Sequence, residues 1–168
     1  MNRNPIIGIM GPGEKATSND LAIAEKLGAL VARKNWITLT GGRRSGVMEA
    51  ALKGAKAAGG QTIGILMSKD KNDASAYADI VIPTGMGSAR NFINALSSDV
   101  IVACGMAAGT ASEISLALKE KKPVVLVTDN QAAKDFFHGL APQLVSFAAT
   151  PEEAMTHIEW IVAGAGHV

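Results

Sequence analysis

Six short, mostly branched apolar runs recur along the chain with helix-like stretches between them, at Ile6–Met10, Ile37–Thr40, Thr62–Leu66, Ile80–Ile82, Val100–Cys104 and Val124–Val127. Most are apolar on both faces, whereas a strand with one wet face alternates apolar and polar residues. Such runs need cover from both sides. Strands separated by helices also imply parallel pairing, because a parallel neighbour is reached only through a crossover. The expected fold is therefore α/β, a doubly wound and mostly parallel sheet with helices on both faces. A length of 168 residues, 48% of them hydrophobic, suits one domain over residues 1–168 with a sizeable core.

The intervening segments carry their own punctuation. Asn19–Lys34 places Leu21, Ala24, Leu27 and Val31 on one stripe and leaves Glu25, Lys26, Arg33 and Lys34 mostly to solvent. Gly46–Ala58 opens from a glycine turn and closes at Gly59 and Gly60, which suit a left-handed helix stop. Thr150, Pro151, Glu152 and Glu153 make a start signal for a last helix running to about Ala163, followed by a short frayed tail over 164–168. Two helices are apolar around much of their circumference: Ser88–Ser98, with Phe92, Ile93, Ala95 and Leu96, and Thr110–Lys121, with Ile114, Leu116, Ala117 and Leu118. The sheet covers one side of each; a second copy of the chain is the simplest cover for the other, so a homo-oligomer, a dimer or tetramer, is expected.

Charge narrows the partner. Lys plus Arg number 16 against 15 for Asp plus Glu, which makes no broad basic field for nucleic acid and no acidic tail. A small molecule is the partner class that remains. The single cysteine, Cys104, excludes an internal disulfide framework and reads as a small buried hydrophobe. The opening MNRNPIIGIM is too short in its apolar part for a signal peptide, and no run reaches the roughly 18 apolar residues of a membrane span. The expected setting is the cytoplasm, with no membrane partner. His138, His157 and His167 lack ligand spacing, so no metal site is assigned, and Trp36, Trp160 and the phenylalanines read as packing.

In an open parallel sheet, ligands bind in the crevice above the carboxyl ends of the strands, where the strand-to-helix turns gather. Three of those turns are glycine-rich: GIMGPG at Gly8–Gly13, GGRRSG at Gly41–Gly46 and GMAAG at Gly105–Gly109. A helix start leaves backbone N–H groups unpaired and carries partial positive charge, and glycine lets an anion approach that backbone closely. The candidate phosphate site accordingly comprises Gly11, Gly41, Gly42, Arg43, Arg44, Ser45, Gly46, Arg90, Gly105, Gly109 and Thr110, with about one of Arg43 and Arg44 facing the ligand. Neither the lysine-containing phosphate loop nor a clean GxGxxG fingerprint is present, which argues against an ATPase or an ordinary dehydrogenase. Ser45 could cap its helix or bond a phosphate. Thr110 and Glu113 have the spacing of a capping box; alternatively the carboxylate faces the crevice, to stabilise a developing sugar cation or act as a general base. Arg90 starts a helix, where a cation opposes the dipole unless a bound phosphate or Glu113 relieves it.

The stretches GGRRSGVMEAALKGAKAAGGQTIGIL, residues 41–66, and MGSARN through SSDVIVACGMAAGTASEI, residues 86–114, together resemble the Rossmann-type proteins once described as lysine decarboxylase-like. That group includes the cytokinin-activating LOG phosphoribohydrolases and the molybdenum cofactor carrier proteins. The resemblance extends over nearly the whole chain and implies a Rossmann-like fold. In LOG enzymes a helix-borne arginine and the glutamate of PGGxGTxxE are the catalytic pair, and these match Arg90 and Glu113. Gly109 and Thr110 also match, but Gly105, Met106 and Ala107 replace the proline and paired glycines, and Asn91 stands where LOG enzymes usually carry lysine. Ala-Arg-Asn followed by GTxSEI is more similar to the carrier branch. The resemblance implies non-covalent carriage of a phosphorylated small molecule, molybdenum cofactor, for storage, protection and transfer, with no metal coordinated by the protein itself. Two alternatives stand beside it: a LOG-like hydrolase of nucleoside 5′-monophosphates, with Arg90 and Glu113 catalytic, and a nucleotide-sensing module related to the DNA-processing Rossmann proteins.

Overall fold

A computed structural model of the chain describes residues 3–164. Seven strands form one sheet: β1 (Ile6–Met10), β2 (Ile37–Thr40), β3 (Thr62–Leu66), β4 (Ile80–Pro83), β5 (Val100–Cys104), β6 (Val124–Val127) and β7 (Val145–Phe147). All pairings are parallel and the order is β4-β3-β2-β1-β5-β6-β7. Six helices accompany it: α1 (Ser18–Arg33), α2 (Gly46–Ala57), α3 (Arg90–Ser97), α4 (Ala108–Lys119), α5 (Gln131–Leu140) and α6 (Pro151–Val162). The six strands expected from the apolar runs are all present. The short seventh, Val-Ser-Phe at the sheet edge, has too few residues to stand out as a run.

The period of two within the strands sorts their side chains between two cores. Ile7 and Ile9 of β1, Val102 and Cys104 of β5 and Val125 of β6 pack under α1, α2 and α6. Met10, Ile101, Ala103, Val124 and Leu126 point the other way, under α3, α4 and α5. This is the doubly wound arrangement. The chain winds outward from β1 to β4, then returns to lay β5 on the opposite side of β1, so the switch point falls between β1 and β5. The turns following those two strands carry Gly11 and Gly105.

Local signals explain the helix ends. In α1, Thr17 accepts the N–H of Asp20 while the Asp20 carboxylate accepts that of Thr17, a capping box. At the end of α2, the N–H of Gly60 bonds the carbonyl of Ala55 and that of Gly59 bonds Lys56, with Gly59 at φ +78°, a Schellman stop. The Thr150 hydroxyl caps α6 by accepting from Glu153, and Pro151 occupies the first turn.

Three expectations need correction. Helix α4 begins at Ala108, with Ala107 in the capping position, so Thr110 and Glu113 already lie inside it and form no capping box. Helix α3 is not apolar around most of its circumference: Arg90, Asn91 and Asn94 are buried beside Ala95, whereas Phe92 and Leu96 are exposed. Trp160 is also exposed, although Trp36 packs on the core. The tail beyond Gly164, including His167, lies outside the described residues. No helix among the described residues is long and apolar enough to cross a membrane.

Candidate functional site

A cavity of about 200 Å³ lies above the carboxyl ends of β1, β2 and β5, beside the switch point. Its walls are the turn after β1, with Gly11; the turn after β2, with Gly41 and Arg43; and the starts of α3 and α4, with Arg90, Gly109, Thr110 and Glu113. Seven of the predicted residues therefore meet around one space. The others lie elsewhere. Gly42 and Gly46 sit in the same loop at φ +75° and +55°, where each backbone passes too close to another for a side chain. Arg44 is exposed and donates from Nε to the carbonyl of Ala74 at 2.6 Å. Ser45 occupies the capping position of α2 without a side-chain cap bond. Gly105, at φ +75°, belongs to a neighbouring cavity.

The charged floor comes from the buried polar face of α3. Arg90 is 6% exposed, and its guanidinium occupies the space that a side chain on Gly41 would take. Burial and the nearby Arg43 push the Arg90 pKa down, while Glu113 opposes them. The nearest approach of Arg90 Nη1 to Glu113 Oε1 is 3.7 Å, an electrostatic contact longer than a hydrogen bond. Burial raises the Glu113 carboxyl to about 7 despite a 2.7 Å hydrogen bond from Asn94 Nδ2 and the opposing pull of Arg90. Near neutrality this group is divided between its acid and carboxylate forms.

Sequence reasoning noted Asn91 only as a departure from the LOG pattern and passed over Asn94. Asn91 lines the cavity; its amide lies 3.5 Å from the Gly109 carbonyl and 3.4 Å from Ser112 Oγ, tying α3 to the first turn of α4. Asn94 lies beneath, fully buried, and holds the carboxyl of Glu113. Two amides buried on a helix that also carries phenylalanine and leucine were the available signal, since buried amides need partners. Met48 and Met67 add soft apolar wall.

Several features equip the space for an anion. Ala107 cannot cap α4 through its side chain, so the first N–H groups of that helix stay available. Thr110 Oγ1 and Arg90 Nε are buried without a hydrogen-bond partner among the described residues. Polar atoms of that kind cost about 1–3 kcal/mol each unless something else satisfies them. Gly109 is informative for the opposite reason to the loop glycines: a Cβ there would meet nothing, and its φ is not positive. Protein packing does not require that glycine, whereas an approaching ligand would. Among the described residues no group of three or more His, Cys, Asp or Glu is placed to hold a metal ion.

Comparison with known proteins fits this architecture. An uncharacterized protein of Archaeoglobus fulgidus is 46% identical over 118 residues, which is 70% of this chain and 76% of that protein. The molybdenum cofactor binding protein from the phototrophic bacterium Rippkaea orientalis superposes with a TM-score of 0.94 at 52% identity, covering 95% of this chain and 98% of that one. The Moco carrier protein of Chlamydomonas reinhardtii gives 0.91 at 51% identity, covering 96% and 99%. The model of the SLOG cluster4 family matches residues 4–155, and the chain belongs to that family.

Proposed function

We propose that this chain carries molybdenum cofactor without a covalent bond, storing and protecting it in the crevice at the switch point and releasing it to an acceptor. The carrying observation is the pair of buried, unpartnered polar atoms, Thr110 Oγ1 and Arg90 Nε, on residues that line one cavity. A terminal phosphate would satisfy such groups, with Arg43 and the free N–H groups of α4 completing an anion receptor. The similarity to the Rippkaea and Chlamydomonas proteins, at about half identity over nearly full length, supports the same ligand. The cofactor brings the molybdenum and its redox chemistry; this chain's residues bind, orient and shield. The reading includes a cytoplasmic homo-oligomer.

Glu113 adjusts the receptor's charge. As a carboxylate it offsets Arg90 and repels a phosphate; as an acid it leaves the guanidinium's charge free and becomes a donor. Equilibrium binding of purified cofactor, together with the survival of its activity in air, tests the proposal. The expected result is saturable binding and slower oxidative loss, with affinity reduced at least about tenfold by Arg90→Gln, the scale of one lost charged hydrogen bond. Release of free base from AMP or an N6-substituted AMP, abolished by Glu113→Gln, would instead make the chain a phosphoribohydrolase.

A further inference from the structure

A second cavity, of about 330 Å³, opens across the switch-point turns from the first. Pro12 lines both, and the turn after β5 runs between them, with Met106 facing one and Ala107 the other. The first cavity alone, at about 200 Å³, is smaller than the roughly 300–1,000 Å³ typical of sites for drug-sized ligands. That size suits a phosphate better than a phosphate joined to a fused ring system. The two spaces together fall within the usual range.

The chemistry of the second cavity differs from that of the first. Ile23, Met106 and Val127 supply apolar walls in a lining that also carries Asp20, Asp129, Lys15 and Lys134. The Asp20 carboxylate lies over the Cα of Gly105, in space that a side chain at that position would occupy. One oxygen, Oδ2, accepts the Thr17 N–H at 2.9 Å; Oδ1 has no donor among the described residues. Asn130 is engaged in capping α5, accepting from Ala133, and Asp129 is exposed, which leaves half-buried Asp20 as the more enclosed carboxylate of the lining. A half-buried carboxylate beside apolar walls recognises planar donors, since an ionised carboxylate only accepts.

We propose that this second cavity takes the ring system of the same ligand, and that Asp20 reads a 2-amino-4-oxopyrimidine edge through its ring N–H and exocyclic amine. Pterin and guanine present that edge; adenine, with an acceptor at the corresponding ring nitrogen, does not. The assignment of pterin rests on the carrier reading.

The test uses 6-hydroxymethylpterin, which has no phosphate, titrated against the full chain by fluorescence, with guanosine and adenosine as comparators. Saturable quenching is expected, undisturbed by inorganic phosphate and weakened at least about tenfold by Asp20→Asn. That substitution keeps an oxygen for the Thr17 N–H, so the cap on α1 survives. Ala149→Phe, at an exposed position on the rim of the cavity, should produce the same loss without touching the core. Guanosine binding tighter than pterin would identify guanine as the source of the edge; adenosine binding as well as either would overturn the assignment. Cofactor binding unaffected by both substitutions would remove the second cavity from the site while leaving the carrier reading intact. Pterin bound and cofactor refused would do the reverse.

Discussion

Glu113 is held where its own charge is disfavoured, which has a measurable consequence for stability. Its carboxyl titrates near 7 in the folded chain against about 4.3 for a free glutamate, so the native state binds the extra proton between those values. Stability contributed by the neutral form is complete below about pH 4 and is lost as pH rises toward 7. Glutamine imitates the neutral acid and keeps the oxygen that accepts from Asn94. Urea unfolding should therefore show Glu113→Gln more stable than the parent at pH 8, by on the order of 3 kcal/mol, with the gap closing near pH 4. A gap independent of pH would mean that the carboxyl is not the origin. Gly109 offers the complementary separation. Leucine there gains helix propensity, up to about 1 kcal/mol, and its Cβ meets no protein atom, yet Gly109 lines the crevice, which a larger side chain would narrow. The expected outcome is an unchanged or raised midpoint and a cofactor affinity at least tenfold weaker, read by thermal unfolding and equilibrium binding. The glycine turns were legible because tight turns and phosphate sites demand the same residue, whereas nothing in the loop's sequence separated Arg43, which lines the cavity, from Arg44. Thr110 and Glu113 were ambiguous because a capping box and an inward-facing pair share one spacing, and only the helix start at Ala108 separates them.

At the scale of elements, α1 and α2 approach so closely that each presents a glycine to the other's backbone. A Cβ on Gly28 would meet the Ala51 carbonyl and one on Gly54 the Glu25 carbonyl. Propensity alone says that Gly54→Ala stabilises by about 1 kcal/mol; packing says that it forces two helices apart. The clash is with backbone, which cannot swing aside, so a net loss of about 1–3 kcal/mol is expected by urea unfolding. Gly139→Ala in α5, where a Cβ would meet nothing, should move the midpoint the other way by up to about 1 kcal/mol. Strand positions were readable to within a residue because buried parallel strands are continuous apolar runs with glycine turns at their ends. The third residue of β7 is exposed and α5 buries little beyond Phe137, so neither carries a pattern of comparable strength. Helix α3 was read as apolar around much of its circumference, and its buried polar face was not foreseen. Hydrophobicity alone does not say which side a crevice claims, and here it claims that of Arg90, Asn91 and Asn94.

What α3 turns outward bears on the assembly of the whole molecule. Ile80 and Ile82 of β4 stand in register with Ile63 and Ile65, on the sheet face that α3 covers. The helical crossovers after β1 and β2 lie on the other face, and the link from β3 to β4 holds only a short 3-10 turn, Lys71–Asp73. Both isoleucines are consequently 43% exposed, and Phe92 and Leu96 on α3 are 39% and 44% exposed on the same side of the sheet. Four large apolar side chains on one layer call for a partner, and a second copy supplies a matching surface by symmetry. Light scattering on the eluted protein should give a multiple of the 17.3 kDa chain, and Leu96→Asp or Ile82→Asp should reduce it to one. Because α3 carries exposed Phe92 and Leu96 on one side and Arg90, Asn91 and Asn94 on the other, assembly through that face would also steady the crevice. The monomeric variants should keep their secondary structure and bind cofactor more weakly than the parent, although neither substitution touches the cavity. A monomer with full affinity would show that the crevice is organised by the sheet alone, and a parent already monomeric at micromolar concentration would leave the exposed face to a different partner.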